Sequence, residues 1–185
     1  MRRLAAVLAL AALGACGEVN EVDGGKGADG APASGYTLEV RADPGQQTYL
    51  ITTPEGRTVG ARAAEGASMM MDERRASALF ADPPSFAASA PEVMALRLPG
   101  FDLSIGAEEE NAEGDNGRVH LSLGRAGQGV QVFADEGGPG DEDDRAYVRI
   151  SGADEATVRD FISDADKLSA DVRAEMLAAL GLSTP

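Results

Sequence analysis

The chain has no tryptophan, three tyrosines and five phenylalanines in 185 residues. Rings are the flat apolar surfaces on which sugars stack, so a glycan-cleaving groove is poorly supplied here. There is one histidine, His120, and one cysteine, Cys16. A lone thiol excludes an internal disulfide and the zinc sites built from several cysteines. Basic residues are few: 16 Lys and Arg stand against 31 Asp and Glu, a net charge of −15. That surface repels phosphate backbones, which excludes nucleic acid as a partner. No G-x-S-x-G elbow, Walker loop or H-E-x-x-H is present. Nothing in the residues calls for a cofactor.

What is present begins with a positive start, Met1-Arg2-Arg3, and ten uncharged apolar residues from Leu4 to Leu13. Ten helical residues cover about 15 Å, half the roughly 30 Å hydrocarbon core, so this run is too short to span a membrane. A basic start, a short apolar stretch and small residues after it are the parts of a secretory signal peptide. A cut after Gly14 would fit an ordinary signal peptidase. A cut before Cys16 would place Leu13 where that enzyme wants a small residue. Leu13-Gly14-Ala15-Cys16 resembles the lipobox of bacterial lipoproteins: aliphatic, small, small, cysteine. The resemblance covers only the first sixteen residues. It implies that Cys16 takes a diacylglycerol on its thiol, that residues 1–15 are removed, and that the new amino group is acylated as well. The acyl chains, palmitate among them, would then hold the protein to a membrane at about 0.8 kcal/mol per buried methylene. By the same resemblance, Gly17 rather than Asp after the cysteine points to the outer membrane, facing the periplasm.

Residues 16–35 are expected to be the lipidated cysteine and a tether. Residues 17–35 hold six glycines and no aromatic, so they cannot build a core. The tether contains Gly25-Lys26-Gly27-Ala28-Asp29-Gly30, a literal G-x-G-x-x-G. A dinucleotide site needs a strand before that motif and a helix after it. The sequence offers neither, so the glycines belong to the linker.

From Tyr36 the pattern alternates, with Tyr36, Leu38 and Val40 on one side and Thr37, Glu39 and Arg41 on the other. Strands are predicted at 48–52, 57–63, 92–98, 101–105, 119–123, 129–133 and 147–150. Thr53-Pro54-Glu55-Gly56-Arg57 is predicted to be a turn, and Pro99-Gly100 and Arg125 to Gln128 to be hairpin connections. One short helix is predicted over 70–80. Val158, Phe161, Ile162 and Ala165 follow the spacing of a second, capped by Ser151 with Asp154 in the third position. Val172, Met176, Leu177 and Leu180 mark a third, opened by Ser169 and closed by Gly181. These elements predict an α+β fold over residues 36–185: a single domain with a mainly antiparallel sheet of 7–8 short strands, a short middle helix and a C-terminal helical pair covering one face.

Three groups invite a chemical role. His120 lies between Val119 and Leu121, where alternation turns those two inward and sends the imidazole outward with Ser122, as a surface residue. Met69-Met70-Met71 offers soft sulfur to Cu(I), but successive helical residues diverge, so core filling is expected instead. Acids crowd into residues 108–116 and 135–144, where Asp141, Asp143 and Asp144 are the candidate calcium ligands. Neither stretch has the alternating order of a calcium loop, so solvated acidic loops are expected. Two functions follow for the body: a non-catalytic module binding an envelope protein or polymer, or a periplasmic hydrolase working through carboxylates. In the absence of a built calcium site, calcium and magnesium should raise the melting temperature slightly and equally. A calcium-specific rise, abolished by neutralising Asp141, Asp143 and Asp144, would reverse that expectation.

Overall fold

The computed structural model describes residues 35–85, 92–98, 101–109, 117–125, 128–136 and 144–182. Over them the protein is α+β, with nine strands and three helices among the described residues. The first four strands are β1 (Tyr36–Asp43), β2 (Gln46–Thr52), β3 (Thr58–Ala64) and β4 (Ala67–Met70). Helix α1 (Glu73–Ala81) follows, then β5 (Glu92–Leu98), β6 (Phe101–Glu109), β7 (Gly117–Arg125), β8 (Gln128–Glu136) and β9 (Arg145–Ala153). Helices α2 (Glu155–Ser163) and α3 (Ala170–Leu180) complete the chain. All ladders are antiparallel, in the order β4-β3-β2-β1-β9-β8-β7-β6-β5. The sheet is therefore two up-and-down meanders, β1 to β4 and β5 to β9, joined where β1 pairs with β9.

Register sets the side chains into rows. One row runs Ile105, Leu121, Val132, Val148, Val40, Tyr49, Ala61, Met70 across eight strands. The next runs Leu123, Val130, Ile150, Leu38, Ile51, Val59. One face is thus apolar across most of its width. α2 and α3 cover it on the side of β1, β3 and β4. Val158, Phe161 and Ile162 from α2 and Val172, Met176, Leu177 and Leu180 from α3 are buried against Leu38, Val40, Tyr49 and Ile51. Each such side chain contributes about 1.5–3 kcal/mol on leaving water.

The helix ends are fixed in two ways. Asp72, Asp154 and Ser169 are the N-caps, accepting from the backbone N–H of Arg75, Thr157 and Val172. Gly181 closes α3 at φ 74°, and the Leu182 N–H reaches the Leu177 carbonyl at 2.9 Å. None of these three helices carries a basic residue in its last turn. Arginines from elsewhere supply the charge: Arg41 donates to the carbonyls of Leu79 and Asp82 at α1, Arg173 to Ser163 at α2, and Arg57 to Ala179 at α3.

Several local expectations shift. Met69 and Met70 belong to β4, not to a helix. Glu65 (φ 51°) and Gly66 (φ 79°) make a two-residue turn of the kind that joins hairpin strands, so the chain reverses once more before α1. Met70 packs partly into the core and Met69 is 52% exposed, so one methionine of the three fills as expected and its neighbour does not. Asp154, not Ser151, caps α2, because Ser151 is still within β9. Strands β6 to β9 also run longer than alternation suggested. α1 lies on the opposite sheet face from α2 and α3. A Cβ on Gly60 would stand 3.0 Å from the Ala76 Cβ and 2.8 Å from Leu50 Cδ2, so α1 approaches closely only because Gly60 has no side chain. Among the described residues no helix is long and apolar enough to cross a membrane.

Met176→Ala empties a fully buried site and should cost about 2–5 kcal/mol in urea unfolding. Gly60→Val should cost about 1–3 kcal/mol by forcing α1 off the sheet. Unchanged midpoints in both variants would refute this packing.

Candidate functional site

The face opposite α2 and α3 gathers the polar side chains. Antiparallel register lines up Arg41 of β1, Tyr147 of β9, Phe133 of β8 and His120 of β7 in one row. Their side chains form a continuous ladder. The Arg41 guanidinium lies 5.8 Å from the Tyr147 ring centre, Tyr147 meets Phe133 at 5.9 Å, and Phe133 stacks on His120 at 4.2 Å and 4°. Each step is an ordinary attractive ring or cation–ring contact.

Beside the ladder sits Glu39, 1% exposed. It shares a side of β1 with Arg41 because the two are two residues apart in a strand. Arg41 Nε donates to Glu39 Oε1 at 2.7 Å, and the Tyr147 hydroxyl donates to Oε2 at 3.1 Å. Burial pushes the Glu39 carboxyl above its ordinary range, against the opposing pull of Arg41 and the bond from Tyr147. The Tyr147 hydroxyl is also raised, by burial first and by the Glu39 charge second. Arg41 also donates to the carbonyls of Asp82 and Leu79 at the end of α1. Arg149, the register partner of Glu39, lies 4.7 Å over the ring of Phe80 in α1. Arg41 and Arg149 therefore fasten α1 to the sheet, while the two oxygens of Glu39 are taken up by Arg41 and by Tyr147 of β9.

No protein-family model, curated protein or solved structure matches the chain.

His120 departs from expectation. It is half-buried rather than a plain surface residue, because Phe133 on the neighbouring strand covers one side of its ring. Val119, expected inside, is 51% exposed. Of the calcium candidates, Asp144 stands half-buried just ahead of β9, while Asp141 and Asp143 lie outside the described residues. Among the described residues no three His, Cys, Asp or Glu side chains are placed to hold a metal ion. Cys16, with Leu13, Gly14 and Ala15, also lies outside the described residues, as do the tether's glycine motif and the hairpin residues 99–100 and 126–127. Alternation had already put Glu39 and Arg41 on one side of β1, but nothing local announced that Tyr147, 108 residues later, would meet them.

The direction of the Glu39 shift gives a pH test. A carboxyl whose folded value lies above its unfolded 4.5 keeps a proton longer in the folded state. Its contribution is greatest at low pH and declines as pH rises from about 4.5 through the raised folded value. The unfolding free energy of wild type minus that of Glu39→Gln should therefore be larger at pH 4.5 than at pH 7. A difference that grows with pH would show that Arg41 outweighs burial.

Proposed function

We propose that this chain is a lipid-anchored lipoprotein of the bacterial cell envelope whose body is a non-catalytic binding module. The observation that carries the proposal is Leu13-Gly14-Ala15-Cys16 behind a short apolar run with a basic start. Residues 1–15 are the signal, Cys16 carries the acyl chains, residues 17–35 are the tether, and residues 36–185 form one domain that faces the periplasm from the outer membrane. A single continuous sheet from β4 to β5 supports one folding unit. As a flexible chain, 19 tether residues separate anchor and body by roughly 24 Å. That distance is enough for the body to turn and meet a partner while the anchor stays in the bilayer.

Binding is favoured over hydrolysis by the use made of Glu39. A catalytic carboxylate needs a proton or substrate within reach. Glu39 is sealed from solvent, and both its oxygens face protein donors. The ladder of Arg41, Tyr147, Phe133 and His120 is likewise committed to packing.

Cells fed an alkyne-bearing palmitate should label the wild-type protein and leave Cys16→Ser unlabelled, and the variant should move from the membrane fraction to the soluble one. Labelling or membrane recovery that survives the substitution would overturn the proposal. Density separation of the two membranes then tests the outer-membrane assignment.

A further inference from the structure

Met69, Met70 and Met71 are adjacent in sequence, and the end of β4 sorts them by access to water. Along Ala67, Ser68, Met69 and Met70 the strand alternates between exposed and half-buried positions. Met69 pairs with Arg62 and Met70 with Ala61, so the two side chains leave opposite faces of the sheet. Met70 packs against the core, Met71 is half-buried, and Met176 of α3 is 0% exposed. Met69 is 52% exposed, in a strand that pairs with β3 alone among the described strands. Residues 17–185 hold no cysteine and no tryptophan, so their sulfur chemistry is that of thioethers.

A thioether is oxidised through a sulfur lone pair, and the order of attack follows access to that lone pair. We infer that Met69 is a reversible sulfoxidation site for peroxides. Its sulfur attacks one oxygen of hydrogen peroxide, and the O–O bond breaks. The hydroxide released takes the proton from the transferred oxygen and leaves as water. Sulfur gives up two electrons, the peroxide accepts them, and the product is the S=O of methionine sulfoxide. Return needs a sulfoxide reductase and two thiols: the oxygen leaves as water and a disulfide forms. At Met69 the new dipole points into water. At Met70 the same oxygen would enter the row of Ala61 and Tyr49, on strands that α3 packs against, where an unpaired polar group costs stability. β4 therefore sets a harmless target beside a harmful one, and solvent reaches the harmless one first. The inference makes no use of the anchor at Cys16.

The purified full-length chain is treated with hydrogen peroxide, quenched at intervals and digested with trypsin. Arg62 and Arg74 bound one peptide, residues 63–74, whose fragment masses assign oxygen among Met69, Met70 and Met71. Met69 should gain oxygen about tenfold faster than Met176, and ahead of Met70 and Met71. In urea the four rates should converge, because the fold sets their order. Met69→Leu should remove the fast uptake from this peptide. The chain oxidised at Met69 alone should melt within about 2–4 °C of the untreated protein. Methionine sulfoxide reductases of both stereospecificities, supplied with a dithiol, should then restore Met69 in the folded chain. Met70, Met71 or Met176 reacting as fast as Met69 would overturn the inference, as would rates that stay apart in urea or fast uptake that survives Met69→Leu. A larger fall in melting temperature would overturn it too, and so would a sulfoxide that the reductases remove only after unfolding.

Discussion

The pairing of β1 with β9 is the contact on which the sheet depends. Each meander is built from neighbours in sequence, and either could be drawn without the other. Only the β1–β9 ladder, which sets Leu38 against Ile150 and Val40 against Val148, makes them one surface. It joins residues more than a hundred positions apart, so a large entropy of closure must be met before it contributes anything. The molecule secures it twice. On the apolar face, α2 follows β9 directly and packs back against β1. On the polar face, the Tyr147 hydroxyl of β9 bonds the buried Glu39 carboxylate of β1. A buried carboxylate is a poor source of net stability but is intolerant of a missing partner, which disfavours other registers of these two strands.

The few arginines follow from the same economy. Three helices end without a basic residue of their own, and each receives a guanidinium from a different part of the chain. Arg57 and Arg41 belong to the meander of β1 to β4, so these bonds tie helix ends to the sheet as well as satisfying carbonyls. Arg41 is buried in this role, while Arg57 stays at the surface of a chain with 31 acidic and 16 basic residues. The outer surface is left strongly negative, and that is the field any partner meets first.

Much of the fold could be read from local pattern, because local pattern is what burial imposes. The helical spacing of Val158, Phe161 and Ile162, and of Val172, Met176, Leu177 and Leu180, marked side chains that are all buried. The Gly181 closure and the Ser169 cap were equally plain. β4 was hidden because a Glu-Gly turn is a weaker signal than Asn-Gly, and because its four residues are too few to show alternation. Alternation assigns His120 its side of the sheet without saying what stands beside it there. Its burial comes from Phe133 across a strand pair, which only register reveals. The Glu39 cluster was half visible, with two of its members in β1 and the third supplied by topology.

Tyr36 opens a strand that is hydrogen-bonded on both sides, to β2 and to β9. Chains attached to a domain often enter through an edge, where a pull unzips one ladder bond by bond. Here a force applied ahead of Tyr36 acts along the strand and across two ladders whose bonds lie perpendicular to it, so the bonds are loaded together in shear. A load applied at Tyr36 would therefore enter the domain near the middle of its sheet, where two ladders share it.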